Sequence, residues 1–218
     1  MDFGITLQII VLIMSVVVHE VAHGYMAYWL GDPTAKYAGR LNFNPVNHLD
    51  FLGSFVVPFL LIITHSPFLF GWAKPVPYNP YNLRNQKYGP ALVGLAGPLS
   101  NLLLALVAGV FLRTFYVLHI SNGLLLQVFA IVVFVNILLM VFNLLPIPPL
   151  DGSKVLFTFI PISEHTKMML EQYGFMLLLI FLYVFQGLIN VIFATVLSIF
   201  VKNIIGINLQ EFILLTSF

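Results

Sequence analysis

Four long apolar runs dominate the chain: Ile5 to Leu30, Ala91 to Leu118, Leu124 to Leu145 and Phe175 to Val201. A bilayer core about 30 Å thick takes about 20 helical residues, so each run predicts a spanning helix. Between the first and second runs lies a connector that carries Lys36, Arg40, Asp50, Lys74, Arg84 and Lys87 around a further apolar stretch, Phe51 to Phe70. Gly53, Pro58 and Pro67 interrupt that stretch. Non-helical backbone at membrane depth survives only when packed against protein or lining a cavity, so the stretch reads as dipping in and returning. The basic residues point the same way. With re-entry, Lys36, Arg40, Lys74, Arg84, Lys87, Lys154 and Lys167 share one face, leaving Arg113 and Lys202 opposite. With a full crossing the division is nearly even, and positive charge marks the cytoplasmic side. The N-terminus is then expected outside and the connector in the cytoplasm. Within the connector, Arg40 to Asn44 alternates polar and apolar positions and predicts a half-buried strand. Lys74 to Pro80, with prolines at 75, 77 and 80, predicts extended backbone.

Composition agrees with this reading. The chain has 218 residues, 60% hydrophobic and 8% charged, with a mean hydropathy of +1.01, far too little polar surface for a soluble globule. The expected fold is an all-α polytopic membrane protein: about four spanning helices plus a re-entrant, partly extended segment between the first and second. The connectors are too short for an independent module, so residues 1–218 form a single integral membrane domain whose partner is the lipid bilayer. A net charge of +1 gives no bias toward nucleic acid. With no Cys, a disulfide framework, a thiolate metal site and a cysteine nucleophile are excluded, and any metal must be held by His and carboxylate. Asp2 is the only charge before the first apolar run, which therefore lacks the basic region of a signal peptide and is expected to remain in the mature protein.

The first span contains His19-Glu20-Val21-Ala22-His23. Positions four apart share a helix face about 6 Å apart along the axis, so both imidazoles can reach one metal ion. Glu20 lies about 100° round the helix, where its carboxylate can take a proton from water at the metal, the general-base role of this pattern in zinc hydrolases. Ionisable groups inside a membrane helix cost about 2.5–3.5 kcal/mol or more unless partnered, which argues for a joint purpose over coincidence. Catalytic zinc usually takes three protein ligands and keeps one position open. Candidates for the third are Asp32, His48, Asp50, His65, His119, Asp151, Glu164, His165, Glu171 and Glu211. Asp32 precedes Pro33 and reads as turn chemistry, and most of the rest lie in polar connectors or near span ends. Asp151 stands apart, because it follows a helix broken by Pro146, Pro148 and Pro149 and precedes Gly152. Such a break frees backbone carbonyls and lets the chain enter a cavity beside a carboxylate.

Together these residues resemble the site-2 proteases, the intramembrane zinc metalloproteases of the M50 class. His19 to His23 matches the family's HExxH, Gly97-Pro98-Leu99-Ser100-Asn101 its GPxxN helix, and Asn143 to Gly152 its NxxPxxPLDG signature. Gly71 to Pro77 resembles the GWAKPVP stretch of the short bacterial and archaeal members, so the likeness covers roughly residues 15–155. It implies Zn2+ held by His19, His23 and Asp151, Glu20 as catalytic base, and Asn143 and Asn101 supporting substrate or the reacting carbonyl. It further implies a transmembrane protein or peptide as substrate, a bacterial or archaeal cell membrane, and an active site toward the cytoplasmic side. The catalytic core is expected over about 5–155, with an additional helix and tail over about 174–218 that match nothing specific. No inserted PDZ-like or CBS-like module is found. His48 is a candidate for support around the metal, or for pinning the turn into the re-entrant stretch. Gly94, Gly97, Ala105, Ala108 and Gly109 suit close helix contact. Two other functions compete: a membrane metal transporter or channel, which needs ligands distributed along a path, and a CAAX-type membrane zincin, which needs Glu164 or Glu171 as third ligand.

Overall fold

The computed structural model of the chain describes residues 3–56, 60, 63, 73–120, 122–160 and 162–216. In chain order its α-helices are α1 (Phe3–Trp29), the short α2 (Thr34–Tyr37) and α3 (Pro45–His48), α4 (Gly89–Val117), α5 (Gly123–Asn143), α6 (Asp151–Phe159), α7 (Glu164–Gln172), α8 (Gly174–Val184), α9 (Gln186–Phe200) and α10 (Leu209–Thr216). Among the described residues, four helical stretches are long and apolar enough to cross a membrane: Gly4–Trp29, Gly89–Val117, Gly123–Asn143 and Gln186–Ile205. The chain is an integral membrane protein of all-α class. The first three stretches match the expected spans within a few residues. The fourth does not begin at Phe175. Helix α8 stops at Val184, Phe185 takes φ −107° and ψ 20°, and the span starts at Gln186. Gln186 and Gly187 follow that break, and glycine costs about 1 kcal/mol relative to alanine in a helix interior. The span closes in a π-helical turn, Val201–Ile205, ended by Gly206 at φ 88°.

Helix α4 runs antiparallel to both α1 and α5. His23 of α1 lies beside Val93 and His19 beside Asn101, so rising numbers on one helix meet falling numbers on the other. Asn101 pairs with Asn136 of α5, while Phe111 stacks on Phe129 at 5.4 Å. Two consequences follow from these contacts. The C-terminal ends of α1 and α5 share one end of the bundle with the start of α4. The connector therefore begins and finishes at that end, as the hydrogen bond from Arg84 N–H to the Leu30 carbonyl (2.9 Å) also requires. The expected dip into the membrane falls mostly on residues 57–59, 61, 62 and 64–72, outside the described residues.

Because lipid is as apolar as a helix surface, association of the spans depends on close packing and on interhelical hydrogen bonds. The main packed cluster is built accordingly: Ala105, Ala108 and Leu112 of α4 meet Ala130, Val133 and Ile137 of α5, and Phe200, Val201 and Phe212 seal it. Small residues let α4 approach its neighbours, and a methyl on Gly109 would stand 3.1 Å from the Phe200 ring.

The strand expected over Arg40 to Asn44 is absent. Asn42 Oδ1 accepts from Asn44 N–H (2.9 Å), and Asn44 Oδ1 accepts from Val46 N–H (3.1 Å) to cap α3. Asparagine side chains that satisfy nearby backbone in this way compete with a ladder, and they win here. Among the described residues strand pairing is limited to one antiparallel bridge, Leu49 with Ala73. His48 is 1% exposed and its Nε2 bonds the Asn42 carbonyl (2.8 Å), so it pins this turn.

Asp32 fastens the connector to the end of α1. Its fully buried carboxylate accepts from Thr34 N–H and Oγ1, from Asn79 N–H (2.6 Å) and from Asn82 Nδ2 (2.9 Å). Burial opposes its charge, yet the bonds from Thr34, Asn82 and Asn79 hold the carboxyl below its ordinary value. A folded-state pKa below the unfolded one, about 3.9, gives stability that is present above that pH and lost as pH falls through the folded value. Asp32→Ala is expected to destabilise the protein by about 1–3 kcal/mol at neutral pH. Thermal unfolding in detergent checks this, and below about pH 4 the gap between wild type and variant should shrink.

Candidate metal centre

One turn of α1 separates His19 from His23, and both rings face α4. Their Nε2 atoms lie 3.0 Å apart. Asp151, the first residue of α6, places Oδ2 at 3.1 Å from His19 Nε2 and 3.0 Å from His23 Nε2. Among the described residues these three form the one group of His, Asp or Glu donors close enough to hold a metal. All three are buried, at 6%, 7% and 6% exposure.

The chain reaches this arrangement through two local devices. After α5 ends at Asn143, the prolines prevent continuation, and short turns, Ile147 N–H to the Leu145 carbonyl and Leu150 N–H to the Ile147 carbonyl (2.9 Å each), bring the backbone back to start α6. Gly152 permits that turn, since any side chain there would collide with the carbonyls of Leu144 and Leu145. On the facing helix, a methyl on Gly97 would stand 2.5 Å from His19 Cε1, His19 Nε2 and His23 Nε2. Gly97 is therefore the floor on which the imidazoles lie.

The proton positions follow from a chain of buried hydrogen bonds. Asn136 Nδ2 lies 2.8 Å from the Val132 carbonyl, which only accepts, so this nitrogen is the donor. It also donates to Ser15 Oγ (2.9 Å). Asn136 Oδ1 must then accept from Asn101 Nδ2 (2.8 Å), which turns Asn101 Oδ1 toward His19 Nδ1 at 2.6 Å. His23 Nδ1 faces the Val93 carbonyl at 2.7 Å. Each Nδ1 therefore carries the hydrogen, and each Nε2 presents a lone pair. Two lone pairs and a carboxylate oxygen converge at 3.0–3.1 Å with no hydrogen among them. Such a set repels itself unless a cation stands at its centre. Bonds of about 2.0–2.2 Å in a tetrahedron would separate the ligand atoms by about 3.3–3.6 Å, so the donor set fits zinc with a small expansion.

Glu20, beside His19, is half-buried, and its Oε2 accepts from Val76 N–H at 2.8 Å. The expected extended stretch is non-helical backbone from Lys74 to Asn79, and Pro80 opens a 3-10 turn. This stretch walls a cavity of about 690 Å³ together with both histidines, Glu20, Asp151 and Asn143. Phe175 and Leu178 of α8 also line this cavity. Asn143 Nδ2 bonds the Leu139 carbonyl (3.0 Å) at the cavity edge. Asn101, expected to support substrate or the reacting carbonyl, is fully buried behind His19 and bonds its Nδ1. His48 makes its hydrogen bond away from the cluster.

Three participants were not singled out from the sequence. Asn136 and Ser15 complete the network behind His19, and Lys154 Nζ lies 2.8 Å from Asp151 Oδ1. An asparagine in the middle of an apolar span is a readable signal, because an unpartnered polar group there is costly. Burial opposes the charge on Lys154, but Asp151 and Tyr78 raise its pKa above the ordinary lysine value, so it is an ammonium.

Comparison with known proteins gives a concordant picture. The profile of peptidase family M50 matches residues 117–181. The chain is 41% identical over 180 residues to "Putative zinc metalloprotease YwhC" of Bacillus subtilis, an alignment covering 79% of this chain and 78% of that protein. It is 28% identical over 171 residues to "Putative zinc metalloprotease Rip2" of Mycolicibacterium smegmatis, covering 78% of this chain and 64% of the relative. For the Rip2 of Mycobacterium tuberculosis the figures are 30% over 144 residues, 66% and 53%. No solved structure matches.

Gly97→Ala is expected to abolish metal binding while circular dichroism stays unchanged, because its methyl occupies the place of both rings. Asn136→Leu should weaken binding roughly 10–100-fold, the usual cost of losing support for a ligand, in a competition titration against a chelator.

Proposed function

Because this chain belongs to peptidase family M50, the family of the site-2 proteases, we propose that it is a zinc metalloprotease that hydrolyses peptide bonds of transmembrane substrates within the bilayer. The observation that carries the reading is the convergence of three buried lone-pair donors, from α1 and α6, beside a carboxylate and a cavity. His19, His23 and Asp151 hold the zinc. Zinc bound there supplies Lewis acidity, lowering the pKa of water toward about 7 and polarising a carbonyl oxygen.

The chain's own residues do the rest. Val76 N–H holds Oε2 of Glu20. The other oxygen, Oε1, takes the proton from the attacking water and delivers it to the leaving nitrogen. Asn101, Asn136 and Ser15 keep the His19 Nδ1 proton in place, and the Val93 carbonyl does the same for His23. Asn143, on the cavity wall, is placed to bond the substrate backbone. A helical substrate shields its amides and must unwind before attack. The segment Ala73 to Tyr78, which borders the cavity with its own backbone outside any helix, offers an edge for the unwound chain. Residues of α8 line the same cavity, which supports reading the catalytic core and the following helices as one domain.

The distribution of basic residues supports a cytoplasmic position for the metal. The first three spans meet there, and Lys36, Arg40, Lys74, Arg84, Lys87, Lys154 and Lys167 lie on the connectors and on the helices that follow α5. Neither competing function draws comparable support. Glu171, one of the two glutamates of the CAAX reading, borders a different cavity. For a transport path, further donor clusters are lacking among the described residues.

Glu20→Gln tests the reading. It should retain stoichiometric zinc yet cleave a model transmembrane peptide roughly 10²–10⁴-fold more slowly than wild type. Undiminished cleavage, or simultaneous loss of the metal, would remove Glu20 from its role.

A further inference from the structure

A carboxylate has two oxygens, and a metal can take one or both. Taking both would occupy the position that must stay open for water and substrate in a catalytic zinc site. In this protein the two oxygens of Asp151 have different partners. Oδ2 faces the histidine Nε2 atoms at 3.1 and 3.0 Å, while Oδ1 receives Lys154 Nζ at 2.8 Å.

Lys154 is well held for this purpose. It lies three residues along α6 from Asp151, so one helical turn fixes the spacing. Its stem runs over Gly94 of α4, where a methyl would stand 3.1 Å from its Cδ and 3.2 Å from its Cβ. Its ammonium sits 5.7 Å above the Tyr78 ring, on the connector segment that also holds Glu20. Packing and the ring contact together leave a long, otherwise mobile side chain little freedom.

We propose that Lys154 is a positioning residue: by holding Asp151 Oδ1 in an ion pair it reserves Oδ2 alone for the metal and keeps a coordination position open. The inference rests on the metalloprotease reading, and it concerns a side chain outside the motifs that support that reading. Lys154 acts through Asp151, and removing its charge frees Oδ1 to swing onto the metal.

Cobalt(II) substituted for zinc is the probe, because four-coordinate cobalt absorbs visible light far more strongly than five-coordinate cobalt. In wild type the cobalt spectrum should be that of a four-coordinate ion. In Lys154→Met, similar in length and uncharged, the visible band should lose most of its intensity. Zinc-loaded Lys154→Met should lose roughly 10–100-fold in kcat at unchanged KM. Lys154→Arg, which restores a cation for Oδ1, should recover the band and most of the rate. A merely structural role would instead lower the unfolding temperature of the metal-free protein and leave the cobalt spectrum as in wild type. An unchanged spectrum in Lys154→Met, or no recovery in Lys154→Arg, overturns the proposal. Failure of wild type to bind cobalt, or a wild-type spectrum in Asp151→Ala, instead overturns the metalloprotease reading itself.

Discussion

Three atoms with unshared electron pairs, held about as far apart as the edges of a small tetrahedron, are the constraint around which this protein is organised. In the low dielectric of a bundle interior such a set is costly without a cation, and ionised or polar groups there must find partners. Almost every unusual feature near the site removes a way of relieving that repulsion. The Nδ1 hydrogens are committed to Asn101 and to the Val93 carbonyl, so the rings cannot turn to bond one another. Gly97 lets α4 press against both rings, and Gly152 lets α6 begin where Asp151 must stand.

The fold serves this convergence. Because α4 runs antiparallel to its two neighbours, a motif near the end of α1 and one just beyond the end of α5 come to the same end of the bundle. The 132 positions between His19 and Asp151 are thereby reduced to hydrogen-bonding distance. The connector contributes twice, through the Asp32 anchor at the end of α1 and through Val76 on Glu20. Its path along the cavity leaves backbone rather than helix next to His19, His23 and Asp151.

Much of this was legible in the sequence, for identifiable reasons. Span length is set by bilayer thickness, so three of the four crossings could be read closely from apolar runs. His19, Glu20 and His23 share local helical spacing, and Asp151 was marked by the prolines before it and by likeness to a known signature. The misjudged pieces depend on information that periodicity does not carry. Arg40 to Asn44 has the alternation of a strand, but Asn42 and Asn44 use their side chains to satisfy nearby backbone and turn the chain. The run from Phe175 to Val201 is almost wholly apolar, yet its helix is interrupted at Phe185. Lys154 went unassigned because an ion pair three residues along a helix becomes meaningful only once the partner's other oxygen has been located.

The central claim is that His19, His23 and Asp151 surround one zinc ion. X-ray absorption at the zinc edge of the purified protein tests it most directly. The account predicts a first shell of nitrogen and oxygen only, at about 2.0–2.2 Å, with the outer-shell scattering of two imidazoles, and loss of that spectrum when Asp151 is replaced by alanine. A protein that carries no zinc, or a spectrum with one imidazole or none, would contradict it.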